Sequence, residues 1–97
     1  MFYIKTFWTK YNLLVAICDE ELLGKTLRFK DVDVKISEKF YGGKVVGEKE
    51  CIKLMERATI GNLIGEKIIK LALREGFITK KNIIYINGIP HAQFVKL

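Results

Sequence analysis

A run of six consecutive apolar residues, at positions 13–18, constrains the fold more than any other stretch of the chain. Successive side chains of a strand point to opposite faces of a sheet, so a strand made of this run is apolar on both faces. It is therefore expected at the centre of a sheet, or covered on its second face by another element. A chain of 97 residues can bury about 60–65% of its unfolded surface, enough for one core, so a single domain is predicted over residues 1–97.

Further strands are predicted around this run. Residues 1–8 are rich in aromatic and β-branched types and form a hairpin with the run, and two alternating segments follow with a slip of phase between them. The predicted strands lie at about 1–8, 13–18, 26–29, 32–37, 82–86 and 89–95. The dipeptide Asn87-Gly88 predicts a tight hairpin, because both central residues of a type I′ turn need a positive φ. Pro90 cannot donate to a ladder, so its strand is expected at a sheet edge.

Apolar residues recur with helical periodicity in two later segments. They predict amphipathic helices over about residues 48–58 and 60–75, with Gly76 as the stop of the second. A single helical turn is expected over residues 19–24, with the Asp19 carboxylate accepting from its free N–H groups. The predicted fold class is α+β: a two-layer sandwich in which a mostly antiparallel sheet carries the two main helices on one face.

Composition bears on compartment and on metal binding. The sequence has no run of about 20 apolar residues and no charged and apolar leader, so we expect a cytoplasmic protein without a membrane segment. Cys18 and Cys51 lie far apart and His91 is the single histidine, which excludes a zinc site of four Cys and His ligands. Both cysteines are expected to be buried thiols, and a disulfide between them is the alternative. No metal and no cofactor is predicted.

Two glycines, Gly61 and Gly65, interrupt the start of the second predicted helix, where each costs about 1 kcal/mol relative to Ala. Four residues apart on one helix face, they would form a shallow groove that packs closely against the sheet or the preceding helix. In the alternative interpretation, free N–H groups at Thr59, Gly61 and Asn62 bind an anion at the helix start. Asn62 and Glu66 would then form a polar pair beside the groove; otherwise Asn62 is a cap and Glu66 pairs with the lysine four residues on.

His91 is the one side chain whose unperturbed pKa lies near neutrality. As a general base it needs a carboxylate and a nucleophile, which the sequence does not identify, so a structural histidine is the first interpretation, a functional one the alternative and a metal ligand the least favoured. Gln93 projects from the same strand face and can join His91 in binding a polar ligand. With the sharp bend expected at two adjacent glycines, the candidate ligand-binding set is Tyr41, Gly42, Gly43, Thr59, Gly61, Asn62, Glu66, His91 and Gln93.

Aromatic side chains are interleaved with lysines in the first half of the chain. The rings are Phe2, Tyr3, Phe7, Trp8, Tyr11, Phe40 and Tyr41, and the lysines are Lys5, Lys10, Lys39 and Lys44. Nucleic-acid bases stack on such surfaces, but in a domain this small most rings must build the core. The net charge of +6 is concentrated late in the chain, since residues 58–97 hold six basic and two acidic residues. This excess fits a phosphate-bearing partner, and it fits equally well lysines scattered over solvated faces.

Four segments carry a family resemblance. They are Cys18-Asp19-Glu20-Glu21-Leu22-Leu23-Gly24, Phe40-Tyr41-Gly42-Gly43, Ala58-Thr59-Ile60-Gly61-Asn62-Leu63-Ile64-Gly65-Glu66 and Gly88-Ile89-Pro90-His91-Ala92-Gln93. In this order and spacing they resemble the small archaeal family catalogued as domain of unknown function 424. The resemblance covers nearly the whole chain and implies an archaeal cytoplasmic protein of α+β type, with no catalytic assignment to carry over.

Three functional hypotheses follow. The leading one is a non-enzymatic, translation-related module that binds RNA or a ribonucleoprotein, based on the basic excess and on the family resemblance. The second is a small ligand-binding domain or enzyme with a polar site around Asn62, Glu66 and His91. The third is a structural subunit or homodimer that uses the apolar first hairpin as its interface.

Overall fold

The computed structural model of the protein describes residues 1–97. The strands are β1 (Phe2–Trp8), β2 (Leu13–Asp19), β3 (Thr26–Phe29), β4 (Val32–Lys35), β5 (Lys44–Val46), β6 (Ile60–Ile64), β7 (Ile84–Ile86) and β8 (Ile89–Val95). The α-helices are α1 (Glu38–Tyr41), α2 (Glu48–Arg57) and α3 (Glu66–Arg74), with 3₁₀ turns at Glu20–Leu22 and Lys80–Asn82. None of these helices has the length and apolar character needed to span a lipid bilayer.

Strand β2, which contains the apolar run, lies near the middle of a six-stranded sheet with the order β5-β1-β2-β6-β8-β7. It pairs with β1 antiparallel and with β6 parallel, and all of its residues except Leu14 are buried. The interior position predicted from the run is thus confirmed. Every other neighbouring pair in the sheet is antiparallel, as the sequence predicted.

Helices α2 and α3 pack on one face of this sheet and form the larger core. Val15 and Leu63 from the sheet, Met55 from α2 and Ile68 from α3 are fully buried in it. This confirms the predicted α+β class with two main helices on one face. The other face carries a smaller core under α1 and the separate β3–β4 hairpin, so it is covered only in part.

The segment Ile60–Ile64 forms strand β6, so the prediction of a helix starting at residue 60 is wrong. Ile60, Leu63 and Ile64 fit a helical stripe, but five residues are too few to separate that period from a strand. β-branched residues favour a strand and glycine disfavours a helix, and β6 satisfies its backbone between β2 and β8. The helical periodicity holds only from Glu66 onward, where α3 begins.

Gly61 lies in β6 directly under the ring of Phe94. A Cβ at this position would overlap that ring, which itself stacks on Phe77 with 5.8 Å between ring centroids. Close packing is therefore what this glycine provides, in a strand and not in a helix.

Helix α3 is capped by a carboxylate from a distant strand. Gly65, the residue before the helix, has φ +127° and ψ 151°, a conformation that is essentially open only to glycine. Asp19, at the end of β2, accepts hydrogen bonds from the backbone N–H groups of Lys67 and Ile68, both at 2.9 Å. A side chain at position 65 would overlap the Asp19 carboxyl group. Gly65 thus serves the junction between β6 and α3.

The cap differs from the sequence prediction, in which Asp19 caps the turn that follows it. That 3₁₀ turn is present at Glu20–Leu22, but Asp19 makes no side-chain hydrogen bond to it. Because β2 and β6 run parallel, their carboxyl ends meet at one edge of the sheet, and the carboxylate reaches the helix that follows β6. Burial raises the pKa of Asp19, and the two N–H donors offset that rise in part.

Pro90 lies in β8, which pairs with β6 on one side and β7 on the other, so the prediction of an edge strand is wrong. The Pro90 carbonyl accepts from the N–H of Gly65, and its nitrogen therefore points to that same side, where β6 has already ended. No ladder hydrogen bond is lost there. The predicted Asn87-Gly88 hairpin is confirmed, with φ values of +50° and +81°.

The cysteines are free thiols on opposite faces of the sheet. Cys18 belongs to the smaller core and Cys51 to the larger one, and both are buried. The prediction of two buried thiols is confirmed, since the sheet separates the sulfur atoms.

Replacing Asp19 by Ala should lower the free energy of unfolding by about 2–3 kcal/mol, because two helix N–H groups lose their acceptor in a buried place. Urea unfolding followed by circular dichroism measures this change. Glu20→Ala, on the exposed neighbouring residue, is the control and should change stability by less than about 0.5 kcal/mol. Equal effects of the two variants would contradict the cap.

Gly65→Ala should be more destabilising than Gly88→Ala, although both replace a glycine with positive φ. A Cβ at position 88 meets nothing within 4 Å, so that variant carries only backbone strain of about 1 kcal/mol. At position 65 the Cβ also displaces the Asp19 carboxyl group, and a loss of about 3 kcal/mol or more is expected. Urea unfolding of the two variants side by side gives the comparison, and losses of the same size would show that the contact with Asp19 does not matter.

Candidate functional site

The partly uncovered face of the sheet presents two parallel rows of side chains. Strand register places Lys5, Ala16, Asn62 and Gln93 side by side across β1, β2, β6 and β8. The neighbouring row lies two residues later in β1 and β8 and two residues earlier in β2 and β6, and it consists of Phe7, Leu14, Ile60 and Val95. We call these two rows, together with Phe40, Tyr41 and His91 beside them, the open face.

Exposure varies along the open face. Ala16 lies fully buried beneath α1, whereas Asn62 and Ile60 are half-buried and Gln93 and Val95 are exposed. Helix α1 and the β3–β4 hairpin therefore cover one end of this side of the sheet and leave the two rows accessible at β6 and β8.

Asn62 is the centre of the polar row. The Tyr41 hydroxyl donates to its side-chain oxygen Oδ1 at 2.7 Å, and Nε2 of His91 lies 3.1 Å from the same oxygen. An amide oxygen only accepts, so the hydrogen-bond network assigns the proton of neutral His91 to Nε2 and leaves Nδ1 as an acceptor. Two donors from separate elements thus hold the Asn62 amide in one orientation.

Both partners of Asn62 are neutral near pH 7. Burial lowers the pKa of His91 below its ordinary value. Burial raises the pKa of Tyr41, and the nearby Cys18 raises it further. The hydroxyl of Tyr41 therefore stays a donor at physiological pH.

The open face combines a free amide group with a cation and aromatic rings. The Nδ2 amide group of Asn62 makes no hydrogen bond within the protein. Lys5 places its ammonium 5.6 Å from the ring centroid of Phe7, and Phe7 stacks on Phe40 with 5.5 Å between centroids. The face can therefore donate hydrogen bonds to a planar polar group, pack against a ring and attract an anion.

The adjacent glycines of the predicted set have structural roles next to this site. A Cβ at Gly42 would crowd the Glu38 carbonyl at the end of α1, and one at Gly43 would overlap the backbone of Ile4 in β1. The chain bends at these two glycines, as predicted, and their close contacts bring α1 against the sheet. Tyr41 reaches Asn62 because of that contact.

Other predicted site residues lie elsewhere. Thr59 fixes the start of β6 to the β1–β2 turn, accepting from Leu13 N at 3.0 Å and donating to Asn12 Oδ1 at 3.0 Å. Gly61 faces the helices under Phe94. The predicted anion site at a helix start formed by Thr59, Gly61 and Asn62 is therefore wrong, because these residues belong to a strand and to the turn before it.

Glu66 does not join Asn62, contrary to the prediction of a helical pair. It lies on the helix side of the sheet, in an open groove of about 500 Å³ between α3 and β7 that Lys70, Lys80 and Tyr85 also line. It also forms no ion pair with Lys70. Of the nine predicted residues, the structure brings together Tyr41, Asn62, His91 and Gln93, with Gly42 and Gly43 beside them.

Ile60 and Val95 of the open face were missing from the predicted site, and Lys5 and Phe7 were predicted only among the interleaved aromatics and lysines. Alternation along β1 and β8 indicates which of their residues share a face, but strand order and register decide which residues of different strands become neighbours. The contact between Tyr41 and Asn62 joins residues 21 positions apart and has no local signal.

Comparisons with known proteins agree with the resemblance in the sequence. The model of a family described as protein of unknown function (DUF424) matches residues 7–97. A crystal structure of an uncharacterized conserved protein from the archaeon Methanopyrus kandleri is similar, with 27% identity and a TM-score of 0.83. That alignment covers 99% of this chain and 93% of the other. No curated protein matches the chain significantly.

Acidification should destabilise the protein through His91. An unfolded histidine titrates near pH 6.5, and burial lowers the pKa in the folded state, so between these two values the unfolded chain binds more protons. The free energy of unfolding should therefore fall as the pH drops below about 6.5. Urea unfolding between about pH 5 and 7.5 should show this loss in the wild type and a smaller one in His91→Gln; parallel curves would contradict it.

Proposed function

The chain belongs to the DUF424 family, proteins of unknown function, and we propose that it is a non-enzymatic module that binds RNA, free or within a ribonucleoprotein, through the open face. Under this proposal it works in the archaeal cytoplasm, in a process related to translation. The similarity to a protein of Methanopyrus kandleri supports the archaeal setting.

The composition of the open face is the observation that carries the proposal. One row supplies the cation of Lys5 and the amides of Asn62 and Gln93, and the other supplies apolar side chains ending in the Phe7 ring. Neither row contains a carboxylate, and Lys5 forms no ion pair. RNA offers phosphates for such a cation, base edges for the amides and base faces for the ring.

The chemistry of the site favours binding over catalysis. The hydrogen bond of His91 goes to an amide, and neither a carboxylate nor a nucleophile pairs with it. Burial raises the pKa of both Cys18 and Cys51 to about 12, so neither thiol is ionised at neutral pH. Tyr41 and His91 position the Asn62 amide, and they show no arrangement for moving a proton.

The two other functional hypotheses, a small ligand-binding domain or enzyme and a homodimer, have less support. The residues of the ligand-binding site predicted around Asn62, Glu66 and His91 are not all neighbours. Glu66 lies on the helix side of the sheet, and the other two lie on the open face. The apolar residues of the first hairpin that suggested a dimer interface are used within the chain, since β2 is buried between β1 and β6.

Charge reversal on the open face should weaken RNA binding. Lys5→Glu and Gln93→Glu replace an attractive or neutral contact by repulsion from phosphate, and each should lower the affinity at least about 10-fold at low salt. Fluorescence anisotropy with labelled RNA at about 50 mM salt, followed by a salt titration, measures both affinity and phosphate contacts. Loss of one phosphate contact should reduce the magnitude of the slope of log K against log salt concentration by about 0.7 for a single strand.

Lys53→Glu, on the exposed side of α2 and on the opposite side of the sheet, is the matched control, because it changes the net charge as much as Lys5→Glu does. Its effect should be small. Equal losses for Lys5→Glu and Lys53→Glu would mean that net charge alone drives binding. Absence of any RNA binding at low salt would overturn the proposed function.

A further inference from the structure

We propose that the RNA bound by this protein is single-stranded and that unpaired bases stack on Trp8 and Tyr11, at the turn between β1 and β2. This inference rests on the proposed function and names the form of RNA that the surface takes. It begins from two large aromatic side chains that the fold leaves in solvent.

Trp8 and Tyr11 do not contribute to either core. Trp8 is 68% exposed and Tyr11 is 78% exposed, whereas Phe2, Tyr41 and Phe94 are buried. No other aromatic ring stacks on either of them. The expectation that most rings build the core therefore holds for part of the set and fails for these two. Their flat faces are available to a planar partner.

The turn that carries these rings is held in place. Thr9 and Asn12 close it with hydrogen bonds from Thr9 N to Asn12 O at 2.9 Å and from Asn12 N to Thr9 Oγ1 at 3.1 Å. Thr59, at the start of β6, donates to Asn12 Oδ1 and ties the turn to the sheet. The rings thus project from a fixed backbone, so less conformational entropy is lost when a base packs on them.

The charge around the turn suits the phosphates that link stacked bases. The ammonium of Lys10 lies 5.4 Å from the ring centroid of Tyr11, and Lys10 forms no ion pair. Residues 1–18 contain no Asp or Glu. A phosphate beside a base on Tyr11 would therefore meet a cation and no carboxylate from this hairpin.

The turn lies beside the open face, at the end of β1. Trp8 follows Phe7 along β1 and pairs with Leu13 of the larger core, so its side chain leaves the strand on the helix side of the sheet, whereas Phe7 begins the apolar row of the open face. A strand of RNA that contacts both the apolar row and Trp8 therefore passes around this end of the sheet, over the turn that carries Tyr11.

Stacking on exposed rings distinguishes single-stranded from duplex RNA. Bases within a duplex are already stacked on each other and their faces are closed to protein side chains, whereas unpaired bases can be splayed onto aromatic rings. A surface that used phosphate contacts alone would prefer the duplex, because its charge density is higher. Base stacking therefore predicts a preference for single-stranded RNA, and binding by phosphate contacts alone predicts a preference for the duplex.

Trp8 is the single tryptophan of the chain, so its fluorescence reports the proposed contact directly. Three RNA probes are titrated at low salt: a mixed-sequence strand without self-complementarity, the same strand annealed to its complement, and an abasic strand with the same number of phosphates. The single strand should quench Trp8 and bind most tightly, and the abasic strand should bind more weakly and leave the fluorescence unchanged.

Variants separate the rings from the rest of the surface. Trp8→Ala and Tyr11→Ala should each weaken single-strand binding in anisotropy by about 5- to 100-fold, the range measured for a lost base stack, and Trp8→Phe should retain most of the affinity. Tyr85→Ala is the control, because Tyr85 is 63% exposed but lies on β7 at the other end of the sheet. It should bind like the wild type.

The outcomes distinguish the inference from the function on which it rests. RNA binding that favours the duplex, leaves Trp8 fluorescence unchanged and survives both alanine substitutions would overturn the stacking site and leave the proposed function standing. Equal losses for Tyr85→Ala and Trp8→Ala would also overturn it. Failure of every RNA probe to bind would overturn both.

Discussion

The contact between the Asp19 carboxylate and the start of α3 is the interaction on which the arrangement of this protein depends. It joins the ends of two parallel strands to the helix that follows the second one, and it leaves Asp19 only 2% exposed. A carboxylate so placed is stabilised by two N–H donors and by the positive end of the helix dipole. Gly65 makes the contact possible, because any side chain there would occupy the same space.

This cap also explains why the open face is the stronger candidate for ligand binding. The carboxyl ends of adjacent parallel strands, beside a helix N-terminus, are a common place for phosphate and nucleotide sites. Here the N–H groups of Lys67 and Ile68 are already occupied by the protein's own carboxylate. Asn62 points away from the helices and toward Tyr41 and His91, because the register of β6 between β2 and β8 places it on the open face.

Sequence patterns determined the fold class and most elements, and they failed where two periods overlap. The apolar run of β2, the Asn87-Gly88 hairpin and helix α2 each carry a strong local signal, and each was predicted. Ile60–Ile64 carries a signal compatible with strand and helix alike, and pairing with β2 and β8 decided between them. The site depended further on register, since Asn62 meets His91 across 29 positions of the chain. Local patterns contain no information on such pairs, so only part of the site was predictable.

The central claim, that the open face binds RNA, is tested most directly by the amide resonances of isotopically labelled protein during titration with single-stranded RNA at low salt. The largest shift changes are expected at Lys5, Asn62 and Gln93, with smaller changes along the row from Phe7 to Val95. Changes confined to α2 and α3 would contradict the claim, because these helices cover the opposite face of the sheet.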